Sequence, residues 1–248
     1  MHWGVALSVV SVACLVVSGP IYRIASPPFT LILLLFVVAL ALGALGALLG
    51  LVSLGMRVSA GGTSLFAPLV ALVIGGGAAG LIGLQVASAG QYPMIHDITT
   101  DTEDPPQFLA ALEARGPDAN SLDYVGKRAE VPPGSSADPA AQPLVADLQQ
   151  AHYPDIVPIR TSLSFEEAFT RSKSTAEDLG WTILRAETGV IEATQTSAWF
   201  GFTDDIVIRL TDEETEVRID LRSVSRVGKS DLGANAKRIR AFAAALQG

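Results

Sequence analysis

The sequence predicts an α+β protein: an N-terminal three-helix transmembrane region is followed by a soluble β-α-β(4)-α domain whose helices pack on one face of an antiparallel sheet. Three observations lead to this prediction. Three long apolar runs precede residue 91, two late segments alternate strictly between apolar and polar residues, and an amphipathic helix flanks the strands on each side. We therefore divide the chain into a transmembrane region at residues 1–90, an extended acidic and Pro-rich connecting segment at 91–150 and a soluble domain at 151–248.

The charged residues follow the same division. Residues 1–90 contain no Asp or Glu, and their only Lys or Arg residues are Arg23 and Arg57. All 25 acidic residues lie after Gly90, which gives residues 91–248 a formal net charge of −10. Such an acidic domain repels phosphate backbones, so we expect no nucleic-acid partner.

The three apolar runs are long enough to cross a hydrocarbon core of about 30 Å, which takes about 20 helical residues. Pro20 and the Pro27-Pro28 pair are predicted to end the first helix and begin the second, and Gly61-Gly62 marks the next turn. The first run lacks the basic region that precedes a signal peptide's apolar stretch, so we interpret it as a retained anchor. The predicted spans are Trp3–Tyr22, Phe29–Leu54 and Leu65–Gly90.

The spans carry no Asp, Glu, Lys, Arg or His, and their most polar residue is Gln85 near an end. Ion channels and proton-coupled transporters usually place ionisable residues inside the membrane, so this pattern argues against both. Gly46 and Gly50 have the GxxxG spacing, as do Gly76 and Gly80, which predicts close helix packing within the bundle or, alternatively, homodimerisation.

The predicted location is the cell (inner) membrane, as a multi-pass protein of the cell envelope. Each short loop carries one cation, Arg23 or Arg57, so the positive-inside rule gives no preference from the loops. The segment after the third span carries acids and no cation until Arg115, which favours an external or periplasmic soluble domain.

The connecting segment contains residue types that bind metals, His96, Asp97 and Asp101. No second His or Cys lies nearby to complete a tetrahedral site, so we predict an extended strap and no metal. The later stretch from Val131 to Pro143 is rich in Pro, Ser, Ala and Gly and is typical of a flexible surface segment.

The soluble domain contains signals for each of its elements. Ser164 followed by Glu167 forms a capping box, and the apolar stripe that follows predicts a helix closed by Gly180. The strands alternate with a period of two, and a turn at Thr188-Gly189 joins the second and third of them. The predicted elements are strand Ile156–Arg160, helix Phe165–Leu179, strands Trp181–Ala186 and Val190–Ser197, strands centred on Ile208 and Ile219, and a final helix lined by Ala236, Ile239, Ala243 and Leu246.

The last hairpin predicts a cluster at one end of the sheet. Pairing the apolar faces through a turn within Thr211–Glu216 places Asp205 opposite Arg222. The same register brings Asp204 next to Ser223 and carries Gly201 toward Arg226. A structural reading is an ion-pair cluster that closes the core, and a functional reading is an anion or headgroup pocket beside the start of the last helix near Ser230. The candidate ligand-binding residues are Trp199, Phe200, Phe202, Asp204, Asp205, Arg222, Ser223, Ser225, Arg226 and Asp231.

Several separated motifs occur in an order that resembles the domain-of-unknown-function 1499 family, in particular its membrane-anchored members. They are HDITTD from His96, YPDIVPI from Tyr153, LGW from Leu179, GFTDDIVIRL from Gly201 and DLRSVSRVGKSDLGANAKRIR from Asp220. The resemblance covers about Tyr92 to Leu246. It implies membership of an uncharacterised family, so no catalytic residue is carried over.

Three functions remain open at this stage. The first is a non-enzymatic, membrane-anchored binding or assembly module for a lipid, an apolar ligand or a membrane-protein partner. The second is a hydrolase or transferase that uses Asp204, Asp205, Arg222 and Arg226, although the sequence supplies neither a nucleophile elbow nor a complete P-loop. The third is a purely structural subunit. No cofactor is predicted, and membrane lipids are the expected partners.

Overall fold

A computed structural model describes residues 3–124, 126, 143–187 and 189–248. The chain divides into two compact units, which we name the helical unit and the sheet unit. The helical unit comprises Met1–Gln91 and Ala198–Gly201, and the sheet unit comprises Tyr92–Ser197 and Phe202–Gly248.

The helical unit contains three helices, each long and apolar enough to cross a membrane. They are α1 (Trp3–Ala25), α2 (Phe29–Ser59) and α3 (Phe66–Ala89). The prediction that Pro20 ends the first helix is wrong, because α1 continues through it to Ala25. Proline removes one backbone hydrogen bond from a helix, and transmembrane helices tolerate this loss where neighbouring groups compensate.

Small residues bring the three helices into close contact. A Cβ atom added to Gly75 would lie 2.5 Å from the carbonyl oxygen of Gly43, and one on Gly46 would lie 2.4 Å from Ser8 Oγ. Ser8 Oγ donates to Ala71 O at 3.0 Å, which adds a polar link between α1 and α3. Close backbone approach of this kind is how transmembrane helices associate.

The two GxxxG pairs have different surroundings. Gly46 and Gly50 both face neighbouring backbone, so this pair packs within the bundle. Gly80 meets no atom within 4 Å among the residues that the structure describes, and the nearest such atom to Gly76 is Ala47 Cβ at 4.0 Å. Only the first pair therefore matches the prediction of packing within the bundle.

The sheet unit is built on six antiparallel strands in the order β1-β6-β5-β4-β3, with β2 pairing along another part of β6. Two helices, α6 and α7, pack on one face, so the predicted α+β class is confirmed. Its strands and helices are β1 (Asp97–Thr99), α4 (Ala110–Glu113), α5 (Val145–His152), β2 (Ile159–Thr161), α6 (Phe165–Asp178), β3 (Thr182–Glu187), β4 (Val190–Thr196), β5 (Thr203–Glu213), β6 (Glu216–Ser225) and α7 (Ala234–Gln247).

Local sequence signals account for α6. Ser164 Oγ accepts from the Glu167 backbone amide, and the Glu167 carboxylate accepts from the Ser164 amide, which forms the predicted capping box. Behind the helix, Trp181 stacks on Phe242 of α7 with ring centroids 5.4 Å apart. The main core lies between this helical layer and the sheet.

The segment predicted to be an extended connector contributes elements of its own. Asp97–Thr99 forms β1 at the edge of the sheet, and Gln149 of α5 closes that edge by hydrogen bonding to both backbone groups of Thr99. The segment between them crosses the face opposite α6 and α7, where Phe108 and Ala111 pack on Val207. Most of the stretch from Val131 to Pro143, like Thr188 of the predicted turn, lies outside the described residues.

The register of the last hairpin differs from the prediction by two residues. Asp205 lies opposite Val224, not Arg222, and Glu213 pairs with Glu216 around a two-residue turn. Side chains alternate between faces with a period of two, so a two-residue shift leaves every apolar residue on its original face. The apolar pattern therefore could not distinguish the two registers, and the position of the turn decides between them.

Candidate functional site

The polar residues predicted to form one site lie on opposite faces of the sheet. Asp204, Ser223 and Ser225 occupy the face covered by α6 and α7, while Asp205 and Arg222 occupy the other. Arg226, just beyond β6, bonds to Asp205. Because successive strand residues point to opposite faces, adjacent acids in β5 cannot act on one ligand.

On the helical face, Arg238 of α7 organises a hydrogen-bonded network. Its guanidinium donates to Asp204 Oδ2 at 2.6 Å, Gln195 Oε1 at 2.6 Å and Ser223 Oγ at 2.9 Å. Asn235 continues the network to Ser225 Oγ at 2.9 Å and to the backbone oxygen of His96 at 3.0 Å. These bonds join the first turn of α7 to β5 and β6, so the network serves to hold the helix on the sheet.

On the opposite face, Arg222 is fully buried and has Asp97 as its counterion. Its Nε and Nη2 donate to the two Asp97 carboxylate oxygens at 2.9 and 2.8 Å. The guanidinium lies between the rings of Phe108 and Tyr124, at 5.3 and 5.2 Å from their centroids. A bidentate ion pair with two aromatic contacts gives this arginine a structural role. Its counterion is Asp97, so the predicted Asp205–Arg222 pair is wrong.

Asp205 has two other arginines as partners. Arg226 donates to its carboxylate at 2.6–3.2 Å, and Arg115 Nε lies 3.1 Å from Asp205 Oδ2. Burial lowers the pKa of Arg115, and the nearby Asp205 charge opposes that shift. This buried carboxylate between two guanidinium groups joins the segment around residue 115 to β5.

The remaining predicted residues have separate surroundings. Trp199 and Phe200 belong to the helical unit, where the Trp199 ring lies beside Gly19 and the Phe200 ring centroid is 6.1 Å from that of Phe36. Phe202 belongs to the sheet unit, and its backbone amide donates to Ser197 Oγ at 3.0 Å.

Asp231 caps the start of α7. Its carboxylate accepts from the backbone amides of Gly233 and Asn235, each at 2.8 Å. Burial raises the pKa of this carboxyl above its usual range, and the two amide hydrogen bonds oppose the rise. The Asp231 carboxylate therefore satisfies backbone amides that are free at the start of a helix.

The metal-binding residue types near His96 are held by other groups. Asp97 is the counterion of Arg222, and the Asp101 carboxylate accepts from Arg218 and from the amides of Glu103 and Asp104. Among the described residues, no group of three or more His, Cys, Asp or Glu side chains could hold a metal ion.

A cleft that the sequence did not predict opens at the other end of the helical face. It has a volume of about 320 Å³, which falls at the low end of the range for small-molecule sites, about 300–1,000 Å³. We name it the β2–α6–α7 cleft. Its apolar lining comes from Ile159, Leu163, Ala168, Ile219 and Leu246, and its polar lining from Arg160, Thr161, Ser162, Arg171 and Gln247.

The two arginines of the cleft differ in their partners. Arg160 forms ion pairs with Glu213 and Glu216. Arg171 is exposed, and its guanidinium has neither an ion pair nor a hydrogen bond with any residue that the structure describes. The acid four residues earlier, Glu167, is held by Ser164 in the capping box, so it does not neutralise Arg171.

The sequence contained part of the signal for this cleft. Arg171 follows the buried Ala168 by three residues, which places its stem beside the apolar stripe of α6. β2 leads directly into α6, but the other walls come from Ile219 of β6 and from the last residues of α7, which are distant in sequence. The cleft therefore depends on tertiary packing that no local pattern specifies.

Comparison with protein families identifies the sheet unit. The family model described as "Protein of unknown function (DUF1499)" matches residues 97–246, a range that begins at β1 and includes the whole sheet up to α7. Among curated proteins, none matches this chain.

Proposed function

This chain belongs to the DUF1499 family, and from the geometry of its sheet unit we propose that it is a membrane-anchored, non-enzymatic module that binds an apolar ligand carrying an acidic group. The observation that carries the proposal is the β2–α6–α7 cleft, in which an apolar lining meets a guanidinium without a partner in the described residues. A site of this composition suits a fatty acid or a similar amphiphile, because the apolar part loses its contact with water and the acid gains a counterion.

The charge distribution supports an acidic ligand at this position. The sequence from residue 91 to 248 has a formal net charge of −10, so the surroundings in general repel anions. Arg171 is an exception, because its guanidinium has no ion pair among the described residues and can attract an anion. The expected binding geometry places the ligand's acidic group at Arg171 and its chain along Leu163, with Ile159 and Leu246 at its floor.

The hydrolase or transferase alternative has less support. Asp204 is held by Arg238, Asp205 by Arg226, and Arg222 by Asp97, so these groups already have intramolecular partners. A catalytic acid or base must reach the substrate within hydrogen-bond distance. The ligand-binding role predicted for this set from the sequence stays a prediction, and the cleft is the better-supported site.

The proposal is tested with a photoactivatable decanoate that carries a diazirine, added to the full-length protein in lipid nanodiscs. After irradiation, peptide mapping is expected to find the adduct on peptides containing residues 159–171 and 242–247. Ser162→Trp blocks the mouth of the cleft at an exposed position and is expected to abolish this labelling. Thr182→Trp, at an exposed position of β3 that lines neither this cleft nor the depression beside it, is the matched control and is expected to leave it unchanged.

The role of the acidic group is tested separately with Arg171→Ala. Loss of one charge-assisted contact at an exposed site is expected to weaken decanoate labelling about fivefold to tenfold, while labelling by the corresponding decanol is unaffected. Lys173→Ala removes a cation from the same helix that is already paired with Glu177, and it controls for net charge. Labelling spread evenly over the chain, or equal labelling of Ser162→Trp and Thr182→Trp, would refute the proposal.

We also propose that the sheet unit lies on the external or periplasmic side of the cell inner membrane. Three spans place the N- and C-termini on opposite sides, and the acidic segment after α3 lacks the cations expected of a cytoplasmic flank. A C-terminal alkaline phosphatase fusion is expected to be active, since that reporter folds only outside the cytoplasm. Activity of a C-terminal green fluorescent protein fusion, with an inactive phosphatase, would reverse the assignment.

A further inference from the structure

The loop between β6 and α7, with the start of α7, combines exposed apolar residues with lysines that form no ion pair with a described residue. Val227 and Leu232 are 40% and 53% exposed. Lys229 and Lys237 are exposed as well, and neither forms an ion pair with a residue in the described part of the chain. Single exposed apolar residues are common on protein surfaces, but a group of them beside unpaired cations points to a partner.

The conformation of this loop is fixed by hydrogen bonds. Ser230 Oγ accepts from the Leu232 amide at 3.3 Å, and Asp231 accepts from the Gly233 amide at 2.8 Å. Leu232 has a φ of +51°, in the left-handed region that residues other than glycine rarely adopt. The fold thus holds Leu232 in a strained conformation with its side chain in solvent, which indicates that its exposure is imposed and not the result of disorder.

The loop is bonded to the segment that follows the third membrane span. Ser230 Oγ donates to Pro93 O at 3.1 Å, and the Asp231 amide donates to Ile95 O at 3.1 Å. Tyr92 and Met94 in that segment are themselves 41% and 43% exposed. The ring of Tyr92 lies against Gly233, since a Cβ atom added there would be 2.6 Å from Tyr92 Cε1.

Chain length limits how far this group can lie from the bilayer. The helix α3 ends at Ala89, so Met94 follows it by five residues. A fully extended chain covers at most about 3.6 Å per residue, which places Met94 within about 18 Å of the end of α3. The headgroup regions of a bilayer add about 5–8 Å on each side of the hydrocarbon core, so the group is within reach of the interface.

We propose that these residues form a bilayer-contacting surface that we name the interfacial patch, with Tyr92, Met94, Val227 and Leu232 at the headgroup–acyl boundary and Lys229 and Lys237 against anionic lipid headgroups. The chemistry suits each part: tyrosine is enriched at membrane interfaces, apolar side chains gain from leaving water, and lysine is attracted to the negative surface of anionic lipids. The patch is independent of the ligand cleft, because it is formed by other residues on another part of the sheet unit.

The patch is tested by depth-dependent spin labelling of the full-length protein in nanodiscs that contain anionic lipid. The chain has one cysteine, Cys14, so a Cys14→Ala background carries single labels at Leu232→Cys or, as the matched control, at Leu184→Cys on the edge strand β3. Leu184 is 37% exposed, which makes it a comparable apolar surface position. The measured quantity is the ratio of collision with molecular oxygen, which concentrates in the bilayer, to collision with a water-soluble nickel chelate.

The label at residue 232 is expected to show an oxygen-to-nickel ratio several times that of the label at residue 184. Replacing the anionic lipid with a zwitterionic one should lower the ratio at 232, and Lys229→Ala with Lys237→Ala should remove that lipid dependence. Val227→Cys provides a second label within the patch, so a folding defect in one labelled protein leaves the test intact. Equal ratios at residues 227, 232 and 184 would overturn the proposal.

Discussion

Replacing Asp97 with asparagine should destabilise the sheet unit severely, because it removes the counterion of a buried arginine. Arg222 is 0% exposed and Asp97 is 1% exposed, so water cannot take the place of the lost carboxylate. In the wild type, Arg222 Nη2 donates to the second carboxylate oxygen of Asp97 at 2.8 Å. Asparagine keeps the shape of aspartate, but it places an NH₂ group at the position of this oxygen. The substitution therefore removes the negative charge and brings two hydrogen-bond donors, the amide NH₂ and the guanidinium NH₂, against each other.

The magnitude follows from the burial of the pair. Removing one partner of a buried ion pair costs about 3–5 kcal/mol, because the remaining charge is left without compensation. The carbonyl oxygens of Pro106 and Leu122, at 3.2 and 2.8 Å, and the two aromatic rings still contact the guanidinium and should keep the loss near the lower end. Natural domains have a total stability of about 5–15 kcal/mol, so the change is a large fraction of it.

Asp155 provides a matched control. It also forms a bidentate pair with an arginine, Arg240, at 2.5 and 2.6 Å, but their side chains are 53% and 43% exposed. Exposed pairs contribute about 0–1 kcal/mol, so Asp155→Asn should have little effect. The double substitution Asp97→Leu with Arg222→Met removes both charges and should recover at least half of the loss, because a buried pair can be replaced by apolar residues at little cost.

The assay is urea-induced unfolding of the full-length protein in detergent, followed by Trp181 fluorescence. Trp181 is 5% exposed in the core of the sheet unit, and Trp3→Phe with Trp199→Phe removes the other two tryptophans. If Asp97→Asn shifts the midpoint no further than Asp155→Asn does, burial of the pair does not set its energy and the reasoning fails.

Two further predictions concern helix packing and pH. Gly75→Val should destabilise the helical unit by about 1–3 kcal/mol, because its Cβ would lie 2.5 Å from Gly43 O, whereas Gly80→Val places its side chain in open space and should have little effect. The measurement is the loss of helical circular dichroism as the protein is titrated with sodium dodecyl sulfate. Equal unfolding midpoints for the two variants would contradict the packing. Burial raises the pKa of Asp231 above its unfolded value of about 3.9, so its favourable contribution is present below that pH and is lost as the pH rises through the folded pKa. The stability of the wild type relative to Asp231→Asn should therefore decrease as the pH rises from below the unfolded pKa to above the folded one, and a difference that rises with pH would contradict the shift.

Local patterns predicted the elements of this fold well because their physical causes are local. The capping box at Ser164 and Glu167 begins α6 where predicted, since its hydrogen bonds join residues three apart. Alternation likewise assigned Ile208 and Ile219 to the core face of β5 and β6, because burial of one face requires it. The apolar pattern could not predict the hairpin register. A register shifted by two residues keeps every apolar side chain on the same face, so the two registers differ only in which residues form the turn.

The partners of the buried charges could not be predicted for a different reason. Asp97 and Arg222 are 125 residues apart and belong to elements whose pairing is set by the whole sheet. The short strand β1 itself escaped prediction, since Asp97–Thr99 has three residues and shows no alternation long enough to recognise. A charged residue in a strand indicates that a partner must exist if it is buried, but the sequence does not say which acid supplies it.

The sheet unit contains arginines held by buried carboxylates and an exposed arginine on α6. Arg222 and Arg226 are held by buried carboxylates, and each joins distant segments of the domain. Arg171 lies on a helix whose nearest acid in the i−4 position, Glu167, is held in the capping box by Ser164. An acid at i−4 can pair with an arginine on a helix surface, but the cap that begins α6 holds Glu167, and Arg171 has no ion pair among the residues that the structure describes. The capping box thus fixes the start of the helix and, under the proposed function, leaves the Arg171 guanidinium for the acidic group of the ligand.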